Sequence, residues 1–197
     1  MEAPVWTRRS VGWLFGMVFV TTGLATAVTL LNLAGRVIME MGGFVAVGGP
    51  YEIAHPAPGW IALVPGSIFL GFACGGLSMI LSMRTGGFSL LPLTWCSLFV
   101  SLGVQFAIMG LNPPGPGGPA WGWIICAVVF IPMGLTALSA VVRGRELFGM
   151  PRMSTLWGST PPPYGNPRYK QAYIASVIAG IVGGVAAAFI LFKLTTG

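Results

Sequence analysis

The sequence is poor in charged and metal-binding side chains. Among its 197 residues there are ten Lys and Arg, one histidine and four acidic residues, all of them glutamate. Charged residues make up 7% of the chain, whereas a soluble domain carries about 25%. Hydrophobic residues make up 55%, and the mean hydropathy is +0.84. This balance excludes a water-soluble core and indicates that a lipid bilayer surrounds the protein.

Five apolar segments are long enough to cross a bilayer, since a spanning helix needs about 20 apolar residues. They are residues 11–33, 60–83, 90–111, 120–142 and 172–194. We therefore predict a single all-α membrane domain over residues 1–197, an integral bundle of five transmembrane helices. The two longest connections are predicted to be loops, an outer loop at residues 34–59 and an inner, Pro-rich loop at residues 143–171.

The positive charges are divided unequally between the two ends of these helices. With the N-terminus inside, most cations fall on the cytoplasmic side, namely Arg8, Arg9, Arg84, Arg143, Arg145, Arg152, Arg168 and Lys170. Arg36 and Lys193 then fall outside. Because cytoplasmic segments carry the excess of Lys and Arg, we predict a cytoplasmic N-terminus and an outside C-terminus. The expected location is the bacterial cytoplasmic (inner) membrane.

The side chains needed for catalysis or cofactor ligation are scarce. Cys74, Cys96 and Cys126 lie within predicted spans without a C-x-x-C spacing, so neither a zinc site nor a disulfide is indicated. His55 is the only histidine, whereas haem b in a helical bundle takes two axial histidines. We therefore expect no metal site, no catalytic residue and no enzymatic activity. Pigment ligation, a quinone contact or a pH-sensitive contact at His55 are the alternatives to a purely structural role for this histidine.

Gln105 is the only strongly polar side chain deep inside a predicted span. A side-chain amide can hydrogen-bond across two helices in a membrane, and we interpret Gln105 in this way. Pro65 and Pro132 fall within the second and fourth spans, where proline kinks a helix. Kinked helices together with an intramembrane glutamine leave a small transporter or channel as an alternative function.

The fifth span carries small residues at every fourth position. They are Ala172, Ser176, Gly180, Gly184 and Ala188. Such a row lets another helix approach closely, which is the main source of helix association in a bilayer, where lipid tails are as apolar as leucine. We predict that this row packs against a helix of the same chain. A helix from another chain is the alternative.

Two loop segments have the composition of protein contact sites. The outer loop contains paired glycines followed by Pro50, and the inner loop contains three consecutive prolines near Trp157. Stiff, extended backbone beside an aromatic side chain is typical of protein interfaces. The predicted partner-contact residues are Gly48, Gly49, Pro50, Tyr51, Trp157, Pro161, Pro162, Pro163 and Tyr164.

The outer loop Gly42–Trp60 resembles a loop in small, functionally uncharacterised bacterial polytopic membrane proteins. In those proteins the loop reads G-G-x-C-A-x-G-G-P-Y-x-I-x-x-P-C-P and follows the first membrane helix. Val45 and Ala57 occupy the two cysteine positions here. Because two such cysteines would pair on the oxidising face of the membrane, the resemblance implies that this loop lies outside. It implies no activity.

These observations favour a non-catalytic accessory subunit of a larger bacterial membrane complex, respiratory or photosynthetic. The alternatives are the small transporter or channel and a scaffold that binds pigment or lipid. The expected partners are other membrane protein subunits and lipids. A nucleic-acid partner is not expected, because the chain has no basic run interleaved with aromatic residues. Bound lipid is the expected ligand, with a pigment or a quinone as alternatives.

Overall fold

The computed structural model describes residues 6–40, 58–85, 91–113, 117–142 and 167–197. Within these ranges the chain is helical and contains no strand, which confirms the all-α prediction. The elements are α1 (Arg8–Glu40), a short 3-10 helix (Gly59–Ala62), α2 (Leu63–Thr85), α3 (Leu91–Leu111), α4 (Trp121–Val142) and α5 (Pro167–Thr196).

Four of these helices are long and apolar enough to cross a membrane. The apolar spans are Ser10–Ile38, Gly59–Leu81, Thr94–Leu111 and Pro167–Thr196. The described apolar part of α4, Trp121–Ala137, is shorter than these four. A fifth crossing and the orientation of the termini therefore stay predictions.

Helices α1 and α5 extend well beyond the predicted spans. Helix α1 begins at Arg8 and continues to Glu40, so the first residues assigned to the outer loop, 34–40, are helical. Helix α5 begins at Pro167, so residues 167–171 of the predicted inner loop are helical as well. Hydropathy detects only the apolar part of a helix, and both extensions carry polar or charged residues. Proline is also well suited to the first position of a helix, where no intrahelical N–H partner is needed.

A reciprocal cap fixes the start of α1. The Thr7 N–H donates to Ser10 Oγ at 2.8 Å, and the Ser10 N–H donates to Thr7 Oγ1 at 3.1 Å. Both N–H groups lie in the first turn, where the helix itself offers no acceptor. The cap therefore satisfies two donors and places the start of the helix next to Thr7, ahead of the apolar stretch.

Helix α1 is central, because it packs against α2, α3 and α5. Its buried residues Trp13, Met17 and Val20 form a core cluster with Cys74 of α2. Close approach of α1 and α2 depends on Gly23, because a Cβ atom there would collide with the Cys74 sulfur. Since lipid tails provide no hydrophobic drive between helices, such close fits are what hold the bundle together.

Helix α4 packs against α3 through glycines on α3. A Cβ atom at Gly103 would lie 3.0 Å from the backbone nitrogen of Ile131, and one at Gly110 would lie 2.9 Å from that of Ile124. The backbones of α3 and α4 are therefore in near contact along two turns of each helix. The connection is closed by the Ala120 N–H, which donates to the Gly110 carbonyl oxygen at 2.7 Å.

Candidate functional site

The small-residue row of α5 faces α1, and we call it the α1-facing row. Gly180, Gly184 and Ala188 are buried, while Ala172 and Ser176 are half-buried. A Cβ atom at Gly180 would collide with the Thr21 hydroxyl, and one at Gly184 would collide with the Thr22 carbonyl oxygen. The partner helix of this row thus belongs to the same chain.

A hydrogen bond joins the two helices at their closest approach. Thr26 Oγ1 lies 3.0 Å from the Gly184 carbonyl oxygen and 2.8 Å from the Thr22 carbonyl oxygen. The hydroxyl donates to one of these two acceptors at a time. A backbone carbonyl of α5 is accessible to α1 because Gly184 has no side chain to cover it.

A second row of small residues lies one position earlier on α5. It consists of Ala175, Ala179, Gly183 and Ala187, and we call it the outward row. All four residues are exposed, and the nearest atom that a Cβ at Gly183 would meet is Thr22 Oγ1 at 4.0 Å. With 100° between successive helix positions, the outward row lies on the face next to the α1-facing row. Helix α5 therefore has two small-residue faces, of which α1 covers one.

Three polar side chains meet between α1 and α3, and we call Asn32, Ser101 and Gln105 the amide cluster. Ser101 Oγ donates to Asn32 Oδ1 at 2.8 Å, and Gln105 Nε2 donates to the same oxygen at 3.4 Å. Gln105 Nε2 also donates to the Leu31 carbonyl oxygen at 3.3 Å. Gln105 therefore bridges α1 and α3 through both a side chain and the backbone.

The position of Gln105 depends on a glycine opposite it. A Cβ atom at Gly35 would collide with the side-chain amide of Gln105. The Gln105 amide therefore lies directly on the backbone of α1, one turn from Asn32.

Sequence reasoning identified Gln105 but missed Asn32 and Ser101. Asn32 lies one residue before the predicted end of the first span. A polar residue at this position is expected at the end of a membrane helix and does not by itself indicate a contact with another helix. The available signal was the spacing of four residues between Ser101 and Gln105, which puts both polar side chains on one face of α3.

We expect the Gln105→Leu variant to be destabilised by about 1 kcal/mol, because an interhelical hydrogen bond in a membrane contributes roughly this much. Thermal unfolding of the detergent-solubilised protein measures the effect. Val104→Leu is the control, since Val104 is the neighbouring residue and is 45% exposed. Equal unfolding temperatures for Gln105→Leu and the parent would show that the bridge contributes no stability.

Aromatic rings form a continuous row across α2, α3 and α4. Consecutive ring centroids are 4.5–5.9 Å apart. In contact order the rings are Phe72, Trp95, Phe99, Phe130, Phe106 and Trp123. Trp95 Nε1 also donates to the Met133 carbonyl oxygen at 3.3 Å. Offset and edge-on ring contacts of this kind stabilise packing beyond the area they bury.

Several predicted site residues lie outside the described residues. In the outer loop these are His55, Gly48, Gly49, Pro50 and Tyr51. In the inner loop they are Trp157, Pro161, Pro162, Pro163 and Tyr164. Within the described part of the chain, no group of three or more His, Cys, Asp or Glu side chains is placed to hold a metal ion.

Comparison with known proteins adds no relative from which a role could be transferred. No protein-family model matches the chain, and neither a curated protein nor a solved structure shows significant similarity to it. Functional inference therefore depends on the surfaces described above.

Proposed function

We propose that this protein is a non-catalytic integral subunit of a larger bacterial membrane complex, respiratory or photosynthetic. In this proposal the outward row of α5 is the surface on which a helix of a neighbouring subunit packs. The chain lies in the cytoplasmic membrane with five crossings and a cytoplasmic N-terminus, as the distribution of Lys and Arg indicates.

The observation that carries the proposal is the exposure of the outward row. Its members Ala175, Ala179, Gly183 and Ala187 match the spacing of the row that holds α1, yet they are exposed. Small residues at this spacing bring two helix backbones close enough for extensive van der Waals contact. Lipid chains gain less from such a surface than a second helix does, because a helix presents ridges that fit the row.

The residues beside the outward row are exposed as well. Ile178 and Val182, which precede Ala179 and Gly183, are 56% and 64% exposed. This part of α5 is therefore not covered by α1, and a transmembrane segment of another subunit can reach the small-residue row.

Purification under mild conditions tests this proposal. The protein is extracted from its native membrane in a mild detergent and separated by size, and the co-eluting proteins are identified. We expect the 20.6 kDa chain to elute in a larger particle together with other membrane subunits. Elution as a monomer without co-purifying subunits would contradict the proposal.

A further inference from the structure

The amide cluster presents one unused hydrogen-bond donor on the outer surface of the bundle. Asn32 is exposed, and its Nδ2 donates one hydrogen bond, to the Val28 carbonyl oxygen at 2.7 Å. A primary amide nitrogen carries two N–H donors. Ser101 and Gln105 both donate to Asn32 Oδ1, which occupies its acceptor oxygen. The Asn32 amide therefore has one N–H donor left that no described residue accepts.

A cationic side chain lies on the same face one turn further along α1. Arg36 is exposed and follows Asn32 by four residues, which puts the two side chains about 6 Å apart along the helix surface. The apolar span of α1 ends at Ile38, so Arg36 lies at the end of the span and Asn32 lies one turn deeper. Arginine at this depth extends its guanidinium toward the polar headgroups while its stem stays in the apolar region.

The two side chains are exposed, whereas the neighbouring Gly35 is buried. Gly35 has no side chain, and the Gln105 amide lies against its backbone on the α3 side. Contact with α3 therefore covers Gly35 and leaves part of Asn32 and Arg36 accessible from outside the bundle.

We propose that Asn32 and Arg36 bind an anionic glycerophospholipid. The Arg36 guanidinium donates to the lipid phosphate, and the remaining Asn32 N–H donates to an acyl ester carbonyl below it. A phospholipid carries these two acceptors at successive depths, phosphate outermost and ester next, in the same order as the two donors. This site is independent of the proposed role as a subunit.

The chemistry of the donors favours a lipid over a helix of another protein. A transmembrane helix satisfies its own backbone carbonyls internally, so it offers acceptors only through individual polar side chains. The planar guanidinium binds phosphate well, since its two parallel N–H donors match two phosphate oxygens.

Native mass spectrometry of the delipidated protein in detergent tests the site. Phosphatidylglycerol is titrated into the parent protein and into Arg36→Gln, Arg36→Lys and Asn32→Leu. We expect about tenfold weaker binding for Arg36→Gln, since a charge-assisted hydrogen bond is lost, and about threefold weaker binding for Asn32→Leu. Arg36→Lys keeps the charge and should retain most of the affinity.

The control is Asn112→Leu. Asn112 is an exposed asparagine just after the end of α3, so the variant makes the same chemical change away from the amide cluster. It should bind phosphatidylglycerol as the parent does. Thermal unfolding of each variant, with a parent-like unfolding temperature expected, separates weaker binding from a loss of fold.

Three results would overturn the proposal. The first is equal phosphatidylglycerol binding by the parent, Arg36→Gln and Asn32→Leu. The second is displacement of the lipid by inorganic phosphate, which would identify a site for the free anion. The third is loss of a co-purifying protein from Asn32→Leu with lipid binding unchanged, which would identify a helix as the occupant.

Discussion

Gly184→Leu is expected to destabilise the folded protein by about 3 kcal/mol, a large overpacking effect. A Cβ atom at this position would collide with the Thr22 carbonyl oxygen and lie 2.7 Å from Ala25 Cβ and 3.0 Å from the Thr26 nitrogen. Two of these atoms belong to the backbone of α1, which cannot move away without breaking its helix. The larger leucine side chain would separate α5 from α1 and remove the contact between Thr26 and the Gly184 carbonyl.

The neighbouring residue provides the control for this prediction. Gly183→Leu makes the same chemical change, but a Cβ there meets only Thr22 Oγ1, at an ordinary contact distance of 4.0 Å. Because leucine also favours the helix more than glycine does, its stability should equal or exceed that of the parent. Thermal unfolding in detergent, followed by tryptophan fluorescence, measures both variants. Parent-like stability of Gly184→Leu would show that α5 does not pack on α1 through Gly184.

The helices themselves were predictable from the sequence, but the ends of α1 and α5 were not. The apolar segments identify the helices, because hydropathy and length are properties of a segment alone. The ends of α1 and α5 were not predictable in this way, since the overhanging turns carry polar and charged residues. Caps such as Thr7 with Ser10, and Pro167 at the start of α5, are the local signals that could have placed them.

The two small-residue rows of α5 show a different limit of sequence reasoning. The row containing Gly180 and Gly184 was recognised from its spacing, but the row containing Ala179 and Gly183 has the same spacing. Sequence alone cannot decide which row faces α1, because that choice depends on how α5 is rotated against its neighbour. In the structure, Cβ atoms at Gly180 and Gly184 would collide with α1, which shows that their row is the one that faces α1.

The polar and aromatic contacts depend on pairs of helices and were therefore mostly missed. Gln105 was recognisable as an amide deep within a span, whereas its acceptors on α1 became apparent only from the packing of α3. Trp95, Phe99 and Phe106 lie on one face of α3, so part of the aromatic row had a helical signal. Their contacts with rings on α2 and α4 required the arrangement of the helices in space.

The second large effect is expected on the assembly rather than on the fold. Gly183→Leu places a long side chain at the closest approach of the proposed partner helix, although it leaves the contact with α1 intact. Loss of close backbone contact removes the main attraction between helices in a bilayer. We therefore expect roughly tenfold less co-purifying protein with Gly183→Leu. A tenfold loss of affinity corresponds to about 1.4 kcal/mol of binding free energy.

Val182→Leu is the matched control for the assembly. Val182 precedes Gly183 on α5, is 64% exposed and lies beside the outward row rather than on it. Replacing one branched side chain by another of similar size leaves the row open. This variant should therefore assemble as the parent does, which separates an effect of the row from a general effect of changing the α5 surface.

The most direct test of the account is the particle size and subunit content of three proteins purified in mild detergent from native membranes. These are the parent chain, Gly183→Leu and Val182→Leu, each with its unfolding temperature. The account predicts a large particle with co-purifying subunits for the parent and Val182→Leu, and a folded but dissociated chain for Gly183→Leu. An unchanged particle for Gly183→Leu, or a monomer for all three, would contradict the claim that the outward row of α5 binds another subunit.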